Sequence, residues 1–233
     1  MAGGKQTPRQ KMINLMYLVF IAMMAMNVSV EVITAFGLMN EKFEKANVTS
    51  EQINTVLLQG LEMRAQDDPT RYSEPYEKAL AVQKLSSNFY NYLNSLKADA
   101  TQGFEIDPET GKLPYEQMVK GAGIDDNWFA GDGYSTKGNE IIAEFKNYRD
   151  SFKAIVGNDT KYKFLIDDIE DRLNTNDVKN RGGVDISFLT YHFRGFPAVA
   201  SLSYLSALQN DVRELEHEAY NLFLGNSLKQ AAS

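Results

Sequence analysis

From Ile13 to Val30 the chain runs eighteen residues without an Asp, Glu, Lys or Arg. As a helix rising about 1.5 Å per residue the run covers about 27 Å, close to the ~30 Å hydrocarbon core of a bilayer. Beyond Glu31 the apolar positions keep helical spacing at Val32, Phe36, Met39 and Phe43, so one helix continues to about Ala46. After Asn47 a serine-led opening predicts a new helix with Ile53, Val56, Leu57 and Leu61 on one stripe. Pro69 and Pro75 break it, and a long helix follows from about Glu74 to Ala98, burying Phe89, Leu93 and Leu96. Residues 101–138 are dense in Gly, Asp and Asn and read as an irregular insertion, with a turn of helix at Tyr115 to Gly121. Helical pattern returns over Lys137–Val156 and Lys161–Leu173. The glycine-bounded, aromatic segment NRGGVDISFLTYHFRGF is then a tucked loop or short strand, and Pro197 opens a last helix ending before GNSLKQAAS.

Charge orients this pattern. Lys5, Arg9 and Lys11 lie on the N-terminal side of the apolar run, and the first charge on the other side is Glu31, which keeps the N-terminus in the cytoplasm. A cleaved signal peptide is the rival reading. Its apolar core is usually shorter, and the small-residue frame at Ala22 and Ala25 lies inside the run rather than after it. The expected organisation is a cytoplasmic lead at 1–8, a transmembrane helix at 9–36, a helical bundle outside at 37–225 and a tail at 226–233. The fold class is all-α: a single N-terminal transmembrane helix continuing into a periplasmic up-and-down bundle with a loop-rich insertion.

Within the span Ala22, Ala25 and Ser29 share a face. In lipid, small residues let helices approach closely, though a lone anchor carries such residues too. Asn14, Tyr17 and Asn27 can hydrogen-bond a neighbouring helix. Arg9 sits about a turn below the hydrocarbon edge, where it either snorkels to lipid phosphates or faces a partner's carboxylate, whose ionised form it would favour. The span holds no titratable carboxylate of its own. A link to proton flux therefore requires another subunit to supply one.

Composition narrows function further. Residues 1–30 carry +3 against a net −7 for the chain, so the exported part is acidic and no nucleic-acid partner is expected. With no cysteine there is neither a disulfide framework nor a thiolate site, which fits a periplasmic setting. Glu214 and His217 have the E-x-x-H spacing of a di-iron bundle, but His192 lacks the matching glutamate, so they read as a solvated helix face. Gly131–Gly138 lacks Walker spacing, and Asp125, Asp126 and Asp132 lack the ladder of a calcium loop. No cofactor, metal or enzymatic activity is expected. Trp128 and Phe129 either anchor the insertion or form an interaction surface.

The lead AGGKQTPRQKMINLMYLVFIAMMAMNVSVEVITAF, with the later FPAVASLSYLSALQNDVRELE, closely resembles the GldM (PorM) family of the Bacteroidetes type IX secretion and gliding machinery. The resemblance covers essentially the whole chain. It implies a bacterial inner-membrane protein with one span, a helical first periplasmic domain and further β-rich domains, which a chain ending here lacks. It also implies partners: GldL-like membrane subunits, five around a homodimer of this chain, and periplasmic and outer-membrane secretion components reached through the missing domains. Proton flow would drive the motion. Arg9 matches the family's membrane-proximal arginine and is expected to meet GldL glutamates, with Tyr17 and Asn14 as further polar contacts. The alternative is a membrane-anchored helical sensor or scaffold. A receptor would need a cytoplasmic output domain that about eight residues cannot provide, and a plain scaffold predicts that Arg9 is dispensable.

Overall fold

The computed structural model describes residues 7–231, and their side chains except at 22–29, 122 and 226–231. Helix α1 (Pro8–Asp67) is 60 residues long, about 90 Å at 1.5 Å per residue. Thr7 caps it by accepting the Gln10 N–H, and Pro8 occupies the first turn, where its missing N–H costs nothing. The expected break near Ala46 does not occur. Asn47, a poor helix former, is held in place by its tertiary partner: its side-chain amide donates to the Ser206 carbonyl at 3.1 Å. Thr49 and Thr55 turn their hydroxyls back onto the Lys45 and Glu51 carbonyls and so leave the helix intact.

Asp68 alone separates α1 from α2 (Pro69–Thr101), so the expected break of several residues shrinks to one. Pro75 falls in the second turn of α2, where it removes a single backbone bond. The chain continues through a 3₁₀ turn at Tyr115–Gln117, α3 (Ala122–Trp128) and the hairpin β1 (Phe129–Ala130) with β2 (Gly133–Tyr134). It then forms α4 (Thr136–Val156), α5 (Lys163–Arg172) and the hairpin β3 (Val178–Lys179) with β4 (Asp185–Ile186). Short α6 (Phe188–His192) precedes α7 (Ala198–Ala231). The insertion is thus more ordered than its composition predicts. Helix α7 also runs past its expected end, because one glycine, Gly225, costs only about 1 kcal/mol in a helix interior.

Three long helices make the centre. Pairings of Asn47 with Ser206 and Asn54 with Arg213 set α7 parallel to α1, while the Lys97–Glu44 ion pair sets α2 antiparallel to both. The buried positions of α1 recur every seven residues at Ile33, Asn40, Asn47, Asn54 and Leu61. Those of α7 recur likewise at Val199, Ser206, Arg213 and Tyr220. A seven-residue period is that of helices wound left-handed around each other.

Helix α4 closes the core from the other side of α2. Phe89 stacks on Tyr148 at 4.5 Å and meets the edge of Phe145 at 5.1 Å, while the Tyr148 hydroxyl pairs with Ser86 at 3.0 Å. Trp128 is fully buried and donates its indole N–H to Asp99 at 2.7 Å, a carboxylate that Asn127 and Lys137 also hold. That indole therefore anchors the insertion to the bundle rather than offering a surface. Among the described residues no helix is long and apolar enough to cross a membrane. The described N-terminal part of α1, Pro8 to Ile21, is exposed on every side.

Two outcomes test this packing. Phe89→Ala should lower unfolding free energy by about 3–5 kcal/mol in urea titration, while exposed Phe164→Ala should stay within about 0.5 kcal/mol of the parent. Burial pushes the His192 imidazole below its ordinary value of 6.5. The unfolded chain then binds the proton more readily, so stability should fall as pH drops below about 6.5, and His192→Phe, compared by melting at pH 7.5 and 5.5, should lose that component of the fall.

Candidate functional site

Two stripes run along α1, and their polarity is reversed from what burial ordinarily selects. The inward stripe carries Asn40, Asn47 and Asn54, all buried. One residue behind it in sequence, an outward stripe carries Val32, Met39, Ala46, Ile53 and Gly60, and three residues after each of these come Ala35, Lys42, Thr49, Val56 and Met63. That alternating spacing of three and four is the a/d pattern of a coiled-coil seam. Val32, Met39 and Ile53 are about half exposed, Val56 and Met63 more so. Traced back, the same register passes through Val28, Ala25, Ile21, Leu18 and Asn14. One row of mostly small or apolar residues therefore extends from the apolar N-terminal run to the far end of α1.

What holds this stripe outward is the seam on the other side. Ser206 donates its hydroxyl to the Asn40 side-chain Oδ1 at 2.6 Å, and the Asn54 side-chain amide donates to the Arg213 backbone carbonyl at 2.9 Å and to Glu216 at 3.2 Å. Arg213 lies over the Tyr90 ring at 4.4 Å and pairs with Glu51 and Glu216, whose other oxygen accepts from Tyr220 at 2.8 Å. His217 meets the Asn54 side-chain oxygen at 3.1 Å, so its ring serves this seam. Burial pushes the Lys97 ammonium below its ordinary value, partly offset by its bond to Glu44. The satisfaction is incomplete: Asn47 Oδ1, Gln209 Oε1, Ser201 Oγ and Arg213 Nε have no hydrogen-bond partner among the described residues.

Of the residues singled out from sequence, Arg9, Asn14 and Tyr17 are exposed on α1, outside the bundle. At about 100° per residue Asn14 and Tyr17 lie about 60° apart on one face, whereas Arg9 lies about 80° round from Tyr17 and about 140° from Asn14. The three do not form one cluster. Ala22, Ala25 and Ser29 lie outside the residues whose side chains are described. Periodicity places Ile53, Val56, Leu57 and Leu61 on one stripe, which merges the outward row with the inward one. Leu61 is buried and Leu57 partly so, while Ile53 and Val56 face out. The separating signal was present as two seven-residue series offset by one.

No curated protein matches the chain. A family model described as the GldM N-terminal domain matches residues 31–226, from the first residue after the apolar run to the last turns of α7. With that match over most of its length, the chain belongs to the GldM family of the gliding and type IX secretion machinery.

Proposed function

We propose that this chain is a non-enzymatic, membrane-anchored subunit of a proton-motive-force-driven motor, working as a homodimer with GldL-like membrane subunits and transmitting motion across the periplasm. The observation that carries this reading is the continuity of α1. One helix joins the charge-free run to the core of the bundle without a break, so displacement of its N-terminal end has no flexible loop in which to dissipate. The span would place residues 1–8 in the cytoplasm of a bacterial inner membrane and the bundle in the periplasm, the orientation that Lys5, Arg9 and Lys11 on one side and Glu31 on the other favour.

Two surfaces then have distinct roles. The outward stripe suits a second α1 running parallel, since insertion with the same orientation gives both copies the same direction and register. The exposed apolar side chains from Met12 to Ile21 suit lipid and the helices of a GldL-like ring. Arg9, below the apolar run, would oppose a carboxylate of that ring and favour its ionised form. The chain has no carboxylate inside the run, so the proton-carrying group belongs to the partner.

Because the chain lacks cysteine, a single introduced thiol reports proximity cleanly. Ile53→Cys on the outward stripe should give oxidative dimers in membranes, and Thr55→Cys, exposed and about 160° round the helix from it at about 100° per residue, should give few; equal yields would remove the stripe as the dimer seam. Arg9→Ala should abolish gliding and cargo secretion while the GldL-like partner still co-purifies. Normal motility in that strain would reduce Arg9 to an orientation anchor.

A further inference from the structure

A cleft of about 640 Å³ opens where the turn between α2 and the Tyr115 3₁₀ helix lies across α1. The turn is stiff: Gly111, at φ +66°, donates to the Asp107 carbonyl at 2.8 Å, the Asp107 N–H donates to the Lys112 carbonyl at 2.8 Å, and the Asp107 carboxylate accepts the Glu109 N–H. Lys112 ties the turn to α1 through Glu41, at 2.8 Å to one oxygen and 3.0 Å to the other. The Tyr115 ring lies on Gly37, where a Cβ would come within 2.3 Å of it, so glycine is needed there for the turn to close on the helix. The cleft is therefore a built concavity and not a gap left by a loose loop.

Its lining divides by chemistry. Ile106, Leu113, Tyr115 and Leu202 form apolar walls, and Ile106 is 61% exposed to the opening. The floor is polar and buried: Asn40 is 6% exposed and Lys97 8%. Three lysines line the cleft, at 45, 97 and 112, against two glutamates, at 41 and 44. Lys97 pairs with Glu44 and Lys112 with Glu41, which leaves Lys45 at the rim without an ion pair among the described residues. In a chain of net charge −7 this is a local positive excess beside apolar walls.

From that combination we infer that the cleft binds a single-chain amphiphile with one negative charge on its head, the acyl chain against Ile106, Leu113 and Leu202 and the head at Lys45. The volume lies within the roughly 300–1,000 Å³ of small-molecule sites, which are mainly apolar with a few placed polar groups. Asn40 stands nine residues beyond Glu31, about 14 Å along the helix at 1.5 Å per residue. Asn40, Glu41 and Glu44 lie round the helix from Met39 and Ile53, while Lys45, one residue before Ala46, borders the outward stripe. The head chemistry is shared by a free fatty acid and an anionic lysophospholipid, two sources that competition separates. This inference stands apart from the motor reading, since binding is measured without gliding or secretion.

The test uses the full chain in nanodiscs of zwitterionic phosphatidylcholine, labelled with a diazirine-bearing dodecanoate and mapped by peptide mass spectrometry. Saturable labelling is expected on residues 104–115 and around Leu202, competed by laurate and by lysophosphatidylglycerol but not by dodecanol. Stronger competition by laurate assigns a free fatty acid, and stronger competition by lysophosphatidylglycerol a lipid-derived ligand. Lys45→Ala should weaken labelling about tenfold, the scale of one lost charge-assisted contact, and Lys45→Arg should restore it. Ile106→Trp, at an exposed position, should block the cleft with helix content unchanged. Labelling spread over the apolar N-terminal run alone, equal competition by dodecanol, or no effect of either variant would overturn the assignment.

Discussion

The asparagine ladder between α1 and α7 is the constraint on which the rest depends. Turning α1 by about 100°, one residue's worth, would bury Val32, Met39 and Ile53 and expose Asn40, Asn47 and Asn54, which hydrophobicity alone would favour. The observed rotation is kept by hydrogen bonds from Ser206, to Ser206 and to Arg213 that the other rotation would lose. A buried polar group left without its partner costs about 1–3 kcal/mol, and the ladder strands several such groups at once if it turns. Polar residues in a helix seam fix register at some cost in stability, and the incompletely paired atoms along α7 are the visible sign of that cost here.

From that rotation the other features follow. With the ladder inward, the apolar stripe must face out, and with α7 parallel to α1 the antiparallel α2 fills the third side of the bundle. Lys97 of α2 is then brought to Glu44, and the end of α2 is placed so that the following turn crosses α1 at Gly37. The aromatic packing of Phe89, Phe145 and Tyr148 and the Trp128–Asp99 bond attach α4 and the insertion to this frame.

Much of the helical architecture was legible in the sequence because long helices repeat their burial pattern many times. The last helix is readable from Val199, Leu202, Leu205 and Leu208, all buried. What misled was local chemistry overruled by tertiary contact. Asn47 resembles a helix terminus but is held by Ser206, and the proline pair at 69 and 75 resembles a long break but fits one residue of linker and a first pair of helical turns. The site was harder to read. Arg9, Asn14 and Tyr17 stand out as polar residues near an apolar run, whereas the outward stripe consists of ordinary residues whose meaning depends on which neighbouring series is buried. The cleft was not legible at all, because its lining comes from three stretches, 40–45, 97–115 and Leu202, more than 50 residues apart from one another, that only the folded chain brings together.

The one-residue corner at Asp68 and the seam from Ile33 to Leu61 together clamp the distal half of α1, while the residues from Pro8 to Val32 extend beyond the clamp as a cantilever. That overhang of 25 residues is about 37 Å long. A change of about 10° in its angle at Ile33 moves its tip by roughly 6 Å, more than the pitch of one helical turn.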